Sequence, residues 1–318
     1  MVRNNMSLKL LTLGASLCVG ALSMGAAQGE LLLYEGFDYT AGETLAGKNG
    51  GTWDTTRAWA TGGSSNGSIN NATVVPGLSL SDFPVVGNAV EVVNNNNNGG
   101  NYSAYIAGRQ LPSTLSVATP SDVYTSFLFE QRQSGSWANE SHLSLAGKPF
   151  SGGQHMISRP VTLWGGNPHN AAVGADNGTG SASGALVQTN TTYLVISKFS
   201  NINGPTFSSN TATMWMLGVS EWDAIKYGTI DETSLDNHSL LKVTHTPNNT
   251  FVVTLDNNQY LRLWTATDWG INSRAAFDEI KMGTSLDQVI APIPEPATFV
   301  LLAMGGILLM PRRQNVRN

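Results

Sequence analysis

From residue 28 to residue 290 the apolar residues come in short runs, punctuated by clusters of Gly, Asn, Ser and Pro. Val123-Tyr124-Thr125-Ser126-Phe127-Leu128-Phe129 mixes aromatic and β-branched residues, as strands do. Tyr193-Leu194-Val195-Ile196-Ser197-Lys198-Phe199 is a second strand, apolar on both faces until its end. Ala212 to Val219 reads as a third, with Met214, Trp215, Met216 and Leu217 inside it. Leu240 to Thr244 and Phe251 to Leu255 flank Pro247-Asn248-Asn249, whose residue types suit a hairpin loop. Leu261-Arg262-Leu263-Trp264 follows the turn residues Asp256-Asn257-Asn258. Near the end, Ala276, Asp278, Ile280 and Met282 alternate with Phe277, Glu279 and Lys281. No long helical period appears, and a single helical turn is predicted near Glu221 to Tyr227. Many short strands with such punctuation predict an all-β sandwich or barrel.

Thr61 to Asn71, Asn94 to Asn98 with Gly99-Gly100, and Gly174 to Gly184 are Gly/Ser/Asn-rich and are expected to be loops. No internal repeat is visible, and the length suits one β domain over residues 28–290.

The two ends differ from this middle. Arg3 and Lys9 precede an apolar stretch from Leu10 to Leu22, and small residues surround Gly25, Ala26 and Ala27. That order is expected of a signal peptide over residues 1–27, cleaved after Ala27. Cys18, the chain's one cysteine, lies inside it, so the mature chain is expected to have no disulfide and no thiolate chemistry. At the other end Pro294-Glu295-Pro296 precede an apolar run from Ala297 to Met310, followed by Arg312, Arg313 and Arg317. The run is shorter than the roughly 20 residues of a spanning helix. The arginines after it favour a cytoplasmic C-terminus.

This tail, residues 291–318 with a hydrophobic helix over 296–311, resembles the PEP-CTERM sorting signal of Gram-negative bacteria. The resemblance implies an exosortase-type processing enzyme as partner, with Pro294, Glu295, Pro296, Arg312 and Arg313 as the sorting motif. It also implies a transient stay in the inner membrane, then the cell surface or extracellular matrix.

Charge narrows the partners. The chain has 17 Lys+Arg and 22 Asp+Glu. Setting aside the five basic residues and the one acid of the two ends leaves 12 basic and 21 acidic residues, a net charge of −9. Such a domain repels phosphate backbones, so no nucleic-acid partner is expected.

A second resemblance lies in the middle. Leu32-Leu33-Tyr34-Glu35-Gly36-Phe37-Asp38-Tyr39, then Gly42, Leu45 and Gly50-Gly51-Thr52-Trp53, looks like the opening of secreted bacterial proteins with a concanavalin A-like, laminin-G-like jelly roll. Phe277 to Ser285 looks like their closing strand, and Tyr193 to Phe199 is similar to their central strand. The resemblance implies an antiparallel two-sheet jelly-roll sandwich whose first and last strands are neighbours.

Such sandwiches include lectins, binding modules and glycoside hydrolases. A retaining hydrolase needs two carboxylates about 5–5.5 Å apart. The nearest match to the laminarinase-like pattern of such enzymes is Glu221-Trp222-Asp223, and the third acid of that pattern is missing. Adjacent Asp278 and Glu279 are expected on opposite faces at a strand end, with no catalytic role. No histidine pair has zinc-motif spacing, and each histidine is expected to be satisfied or solvent-facing. Asp54, Asp176 and Asp256 lie near loop oxygens that suit calcium, but no loop carries a spaced acidic ladder, so no metal or cofactor is expected. Of the eight tryptophans, Trp137 and Trp164 sit in loop-like settings and are candidate glycan contacts, while Trp215 and Trp264 read as core. The expectation is an exported, non-catalytic surface or matrix protein, with extracellular polysaccharide as its candidate partner; the alternatives are a glycan-active hydrolase and a purely structural matrix protein.

Overall fold

The apolar runs among the described residues do form strands; Phe251 to Thr254 and the loop Pro247-Asn248-Asn249 lie outside those residues. The computed structural model describes residues 29–50, 56–63, 67–68, 71–94, 103–115, 117, 121–133, 138–150, 154–164, 170–175, 178–183, 187–203, 211–246, 255–267 and 272–292. The signal cleavage residue Ala27 and the motif residues Pro294, Glu295, Pro296, Arg312 and Arg313 lie outside these residues. Among the described residues no helix is long and apolar enough to cross a membrane.

Two antiparallel sheets pack face to face. The first contains β1 (Leu31–Glu35), β4 (Ala72–Pro76), β5 (Asn88–Asn94), β7 (Ser121–Gln133), β12 (Thr192–Ile202), β13 (Ala212–Leu217), β14 (Leu241–His245) and β16 (Ser273–Gly283). Its order is β14-β13-β12-β7-β16-β5-β4, with β1 also on β16. The second contains β2 (Ala60–Gly63), β3 (Gly67–Ser68), β6 (Ser103–Gln110), β8 (Ala138–Ala146), β9 (Gln154–Trp164), β10 (Asn170–Ala175), β11 (Gly178–Ser183) and β15 (Tyr260–Thr267). Its order is β11-β10-β9-β8-β15-β6-β2-β3. This pairing is consistent with a jelly-roll sandwich. The first and last strands are neighbours as expected, with Tyr34 opposite Lys281 and Glu35 opposite Ile280.

Between the sheets lies one core. Val90, Phe127, Phe129, Val195 and Phe277 from the first sheet meet Leu143, Leu145, Val173, Leu261 and Leu263 from the second. Phe129 and Phe277 meet edge-on with centroids 5.6 Å apart, a favoured aromatic geometry.

The first sheet is also covered on its outer side. Leu128, Leu194, Ile196, Trp215 and Ala276 point there and pack beneath three short helices and a strap of residues 77–87. The helices are α1 (Val219–Ile225), α2 (Glu232–His238) and α3 (Leu286–Ile290). This cover explains why β12 is apolar on both faces, as strands buried on both sides are. The predicted turn near Glu221 is α1, two residues earlier. α2 begins where the Asp231 carboxylate accepts the Ser234 N–H at 2.7 Å, an N-cap bond.

Two expected loops are partly strands. Residues 61–71 include the β2–β3 pair, with Gly62 opposite Ser68. Residues 174–184 include most of a β10–β11 hairpin, with Val173 opposite Gly180. Ladder bonds come from the backbone, so small polar residues can pair at a sheet edge without burying apolar surface.

Asp278 and Glu279 also depart from expectation. They sit in mid-strand, at a bulge where β16 gains one residue between Asp278 and Lys281 against β7. Glu279 takes a left-handed φ of 49°. Phe277 and Ile280 belong to the inner core, so the bulge frees both acids to reach the strap on the outer side. Asp278 Oδ2 accepts the Leu78 N–H at 2.9 Å, and Glu279 Oε1 accepts the Val86 N–H at 2.6 Å. The two buried carboxyl groups thus fasten both ends of the strap.

Candidate functional site

The outer face of the second sheet holds a cluster of polar side chains. Along β8 Leu143 and Leu145 face the core, which turns Glu140, His142 and Ser144 outward. In register beside them on β15 stand Trp264, opposite His142, and Arg262, opposite Ser144. The His142 and Trp264 rings stack with centroids 5.1 Å apart and planes 17° from parallel. Glu140 Oε1 lies 3.2 Å from His142 Nδ1 and 2.5 Å from Arg159 Nη2. Residues 147–150 cross one end of this face. Arg262 donates two hydrogen bonds to the Lys148 carbonyl, and a Cβ on Gly108 would stand 3.0 Å from the Pro149 oxygen. Glycine at 108 therefore lets that crossing lie close to the sheet.

His142 and Ser144 are buried, whereas Trp264, Glu140 and Arg159 are partly exposed. Burial pushes the His142 pKa down to about 4; Glu140 opposes this, while Arg159 and Arg262 add to it. His142 is therefore neutral at pH 7. Among the described residues His142 Nε2, Ser144 Oγ, Trp264 Nε1 and Arg159 Nε have no hydrogen-bond partner. Unpaired buried polar atoms are rare in folded proteins because each costs roughly 1–3 kcal/mol. These four atoms share one sheet face, which makes that face the candidate site.

The expected site residues fall as follows. Trp137 lies outside the described residues. Trp164 ends β9, its backbone opposite Ala138 and two positions along from the Glu140–Thr162 pair. That brings its backbone to the same end of the sheet as Glu140. Trp264, expected in the core, is on the outer face; Trp215 is buried, but beneath α2, where its Nε1 donates to Asp236 at 2.7 Å. His142 is not solvent-facing: it is buried, with Glu140 beside Nδ1 and no partner for Nε2 among the described residues.

Glu221 and Asp223 are committed elsewhere. Glu221 accepts the Gly218 N–H at 3.1 Å at the start of α1. Asp223 pairs with Lys226 at 2.8 Å and accepts the Ser81 hydroxyl at 2.6 Å. Asp256 closes its own turn by accepting the Asn258 N–H, and Asp54 and Asp176 lie outside the described residues. Among the described residues no group of three His, Cys, Asp or Glu side chains is placed to hold a metal ion.

A second buried charge cluster is structural. Glu35 accepts from Arg109 at 2.7 Å, Trp59 Nε1 at 3.1 Å, the Phe37 N–H at 3.0 Å and the Tyr39 hydroxyl at 3.3 Å. Burial pushes its carboxyl up, and Arg109 with the other donors pulls it back.

No protein-family model and no curated protein matches this chain. Solved structures do. An endo-β-1,4-glucuronan lyase from Trichoderma reesei aligns over 83% of this chain and 100% of its own, at 10% identity and a TM-score of 0.44. The globular domain of calreticulin from T. cruzi aligns over 88% and 95%, at 12% identity and a TM-score of 0.42. Peanut lectin aligns over 67% and 97%, at 10% identity and a TM-score of 0.37. At such scores the function has to be read from this chain's own residues.

Proposed function

We propose that this chain is an exported surface or extracellular-matrix protein that binds glycan, without turnover, on the outer face of its second sheet. The observation that carries the reading is the His142–Trp264 stack, set among four polar atoms that have no hydrogen-bond partner among the described residues. Sugars supply what those atoms need, since their hydroxyls both donate and accept and their C–H faces suit an indole. Export rests on the sequence of the two ends: a signal peptide cleaved after Ala27, and a tail read by an exosortase-type enzyme during a transient stay in the inner membrane.

Glycan cleavage has one observation in its favour. Glu140 beside His142 Nδ1 is the pairing that orients an imidazole as a general base. A pKa near 4 makes that base weak at neutral pH, so binding is the stronger reading.

Probing a glycan array with the wild-type chain and Trp264→Ala tests it. The variant should lose about tenfold or more in affinity, the scale of one lost aromatic contact. Equal binding by both refutes the placement. New reducing ends that disappear with His142→Gln would establish catalysis instead. For sorting, deleting residues 294–318 should leave export across the inner membrane intact and change the final location; an unchanged location counts against the tail's role.

A further inference from the structure

On the opposite side of the sandwich an open groove of about 530 Å³ runs between the strap, the end of α1 and α3. Trp222, Tyr227, Asp82, Pro84, Asp287 and Ile290 are among its lining residues. We propose that this groove is a separate binding site for an uncharged glycan, with a pyranose ring stacked on Tyr227.

Tyr227 is 84% exposed, yet its ring is held in place. Its hydroxyl donates to Asp82 Oδ2 at 3.2 Å, and the Lys226 ammonium lies 4.9 Å from the ring centroid. Lys226 is itself fixed, 2.7 Å from Asp82 and 2.8 Å from Asp223. An exposed aromatic normally loses side-chain freedom when a ligand packs on it; here that ordering is already done. Trp222, 4% exposed, packs edge-on against Phe83 at 5.2 Å and completes the aromatic wall. Its Nε1 has no hydrogen-bond partner among the described residues.

Charge selects the ligand class. Asp82, Asp223 and Asp287 outnumber Lys226, so acidic sugars are repelled. A cationic guest would meet the Lys226 ammonium already beside the ring. The C–H face of a neutral pyranose avoids both conflicts, and the carboxylates at the rim accept from its hydroxyls. The site shares no residue with the outer face of the second sheet and does not rest on the reading of that face.

Native-gel affinity electrophoresis of the purified full chain tests this, using soluble β-glucan, galactomannan, polygalacturonate and an oligolysine peptide as separate probes. At least one neutral polysaccharide should retard the chain. Tyr227→Ala should weaken that retardation about tenfold with no change in Tm, because the ring is exposed. Tyr227→Phe, which keeps the ring and loses its tether to Asp82, should fall between. Trp264→Ala, on the other face, should keep the Tyr227-dependent component. The proposal is overturned if neither neutral probe retards the chain, if Tyr227→Ala matches wild type, or if the Tyr227-dependent binding is to polygalacturonate or oligolysine.

Discussion

The Asp278 carboxyl should make this fold lose stability as the solution turns alkaline. Burial pushes its pKa up from 3.8 to about 8, and the neighbouring acids Glu279 and Glu35 add to the rise. The N–H bonds from Leu78 and Glu279 oppose it without winning. At pH 7 the folded chain therefore holds a proton that the unfolded chain has released. Folding then binds a proton, so stability falls with rising pH between about 4 and 8. One pKa unit corresponds to about 1.4 kcal/mol, so the loss from pH 6.5 to pH 8 is about 2 kcal/mol. The window is chosen to lie above the range in which His142 acts. Urea midpoints at constant ionic strength, measured across that window for wild type and Asp278→Asn, give the answer. The amide accepts one of the two N–H bonds but cannot ionise, so the variant should start about 1 kcal/mol lower and show a flatter profile. A wild-type stability that is level or rises from pH 6.5 to pH 8, or an equal slope in the variant, refutes the reasoning.

On the acid side His142 acts in the opposite sense. Its pKa falls from 6.5 to about 4 on folding, so its contribution is complete above pH 6.5 and is lost as pH drops towards 4. His142→Phe should remove that part of the acid loss, read from thermal melts at pH 4.5 and pH 7. Replacing Glu35 with Ala strips the buried Arg109 of its carboxylate and should cost about 3–5 kcal/mol, read as a lower urea midpoint. Replacing both with Leu and Met should cost less than Glu35→Ala alone, and a larger loss in the double variant would count against this account.

Some of this architecture is written plainly in the chain. Tyr193 to Phe199 carries apolar residues at successive positions, and the structure covers that strand on both sides. The pairing of the first and last strands followed from the likeness at Leu32 to Tyr39 and Phe277 to Ser285. Gly178–Ser183 offered no apolar signal, because its pairing is all backbone. The bulge at Asp278–Glu279 carries no glycine to announce its left-handed residue. In the candidate site the alternation Glu140-x-His142-x-Ser144, against Leu143 and Leu145, was a visible clue to a polar face. The neighbours Arg262 and Trp264 come from a strand more than a hundred residues later, and only the pairing of β15 with β8 brings them together.

The strap of residues 77–87 is held at both ends through main-chain amides, those of Leu78 and Val86. Any amino acid except proline presents the same amide, so the clasp does not care which side chains sit at its own two positions. Between the clasps, Leu80 and Phe83 dip into the apolar layer, while Ser81 and Asp82 are exposed and Asp82 lines the groove. A substitution at Asp82 therefore alters the groove rim and leaves both clasps in place, whereas Ser81, held at a left-handed φ of 46°, is the less replaceable of the outward pair.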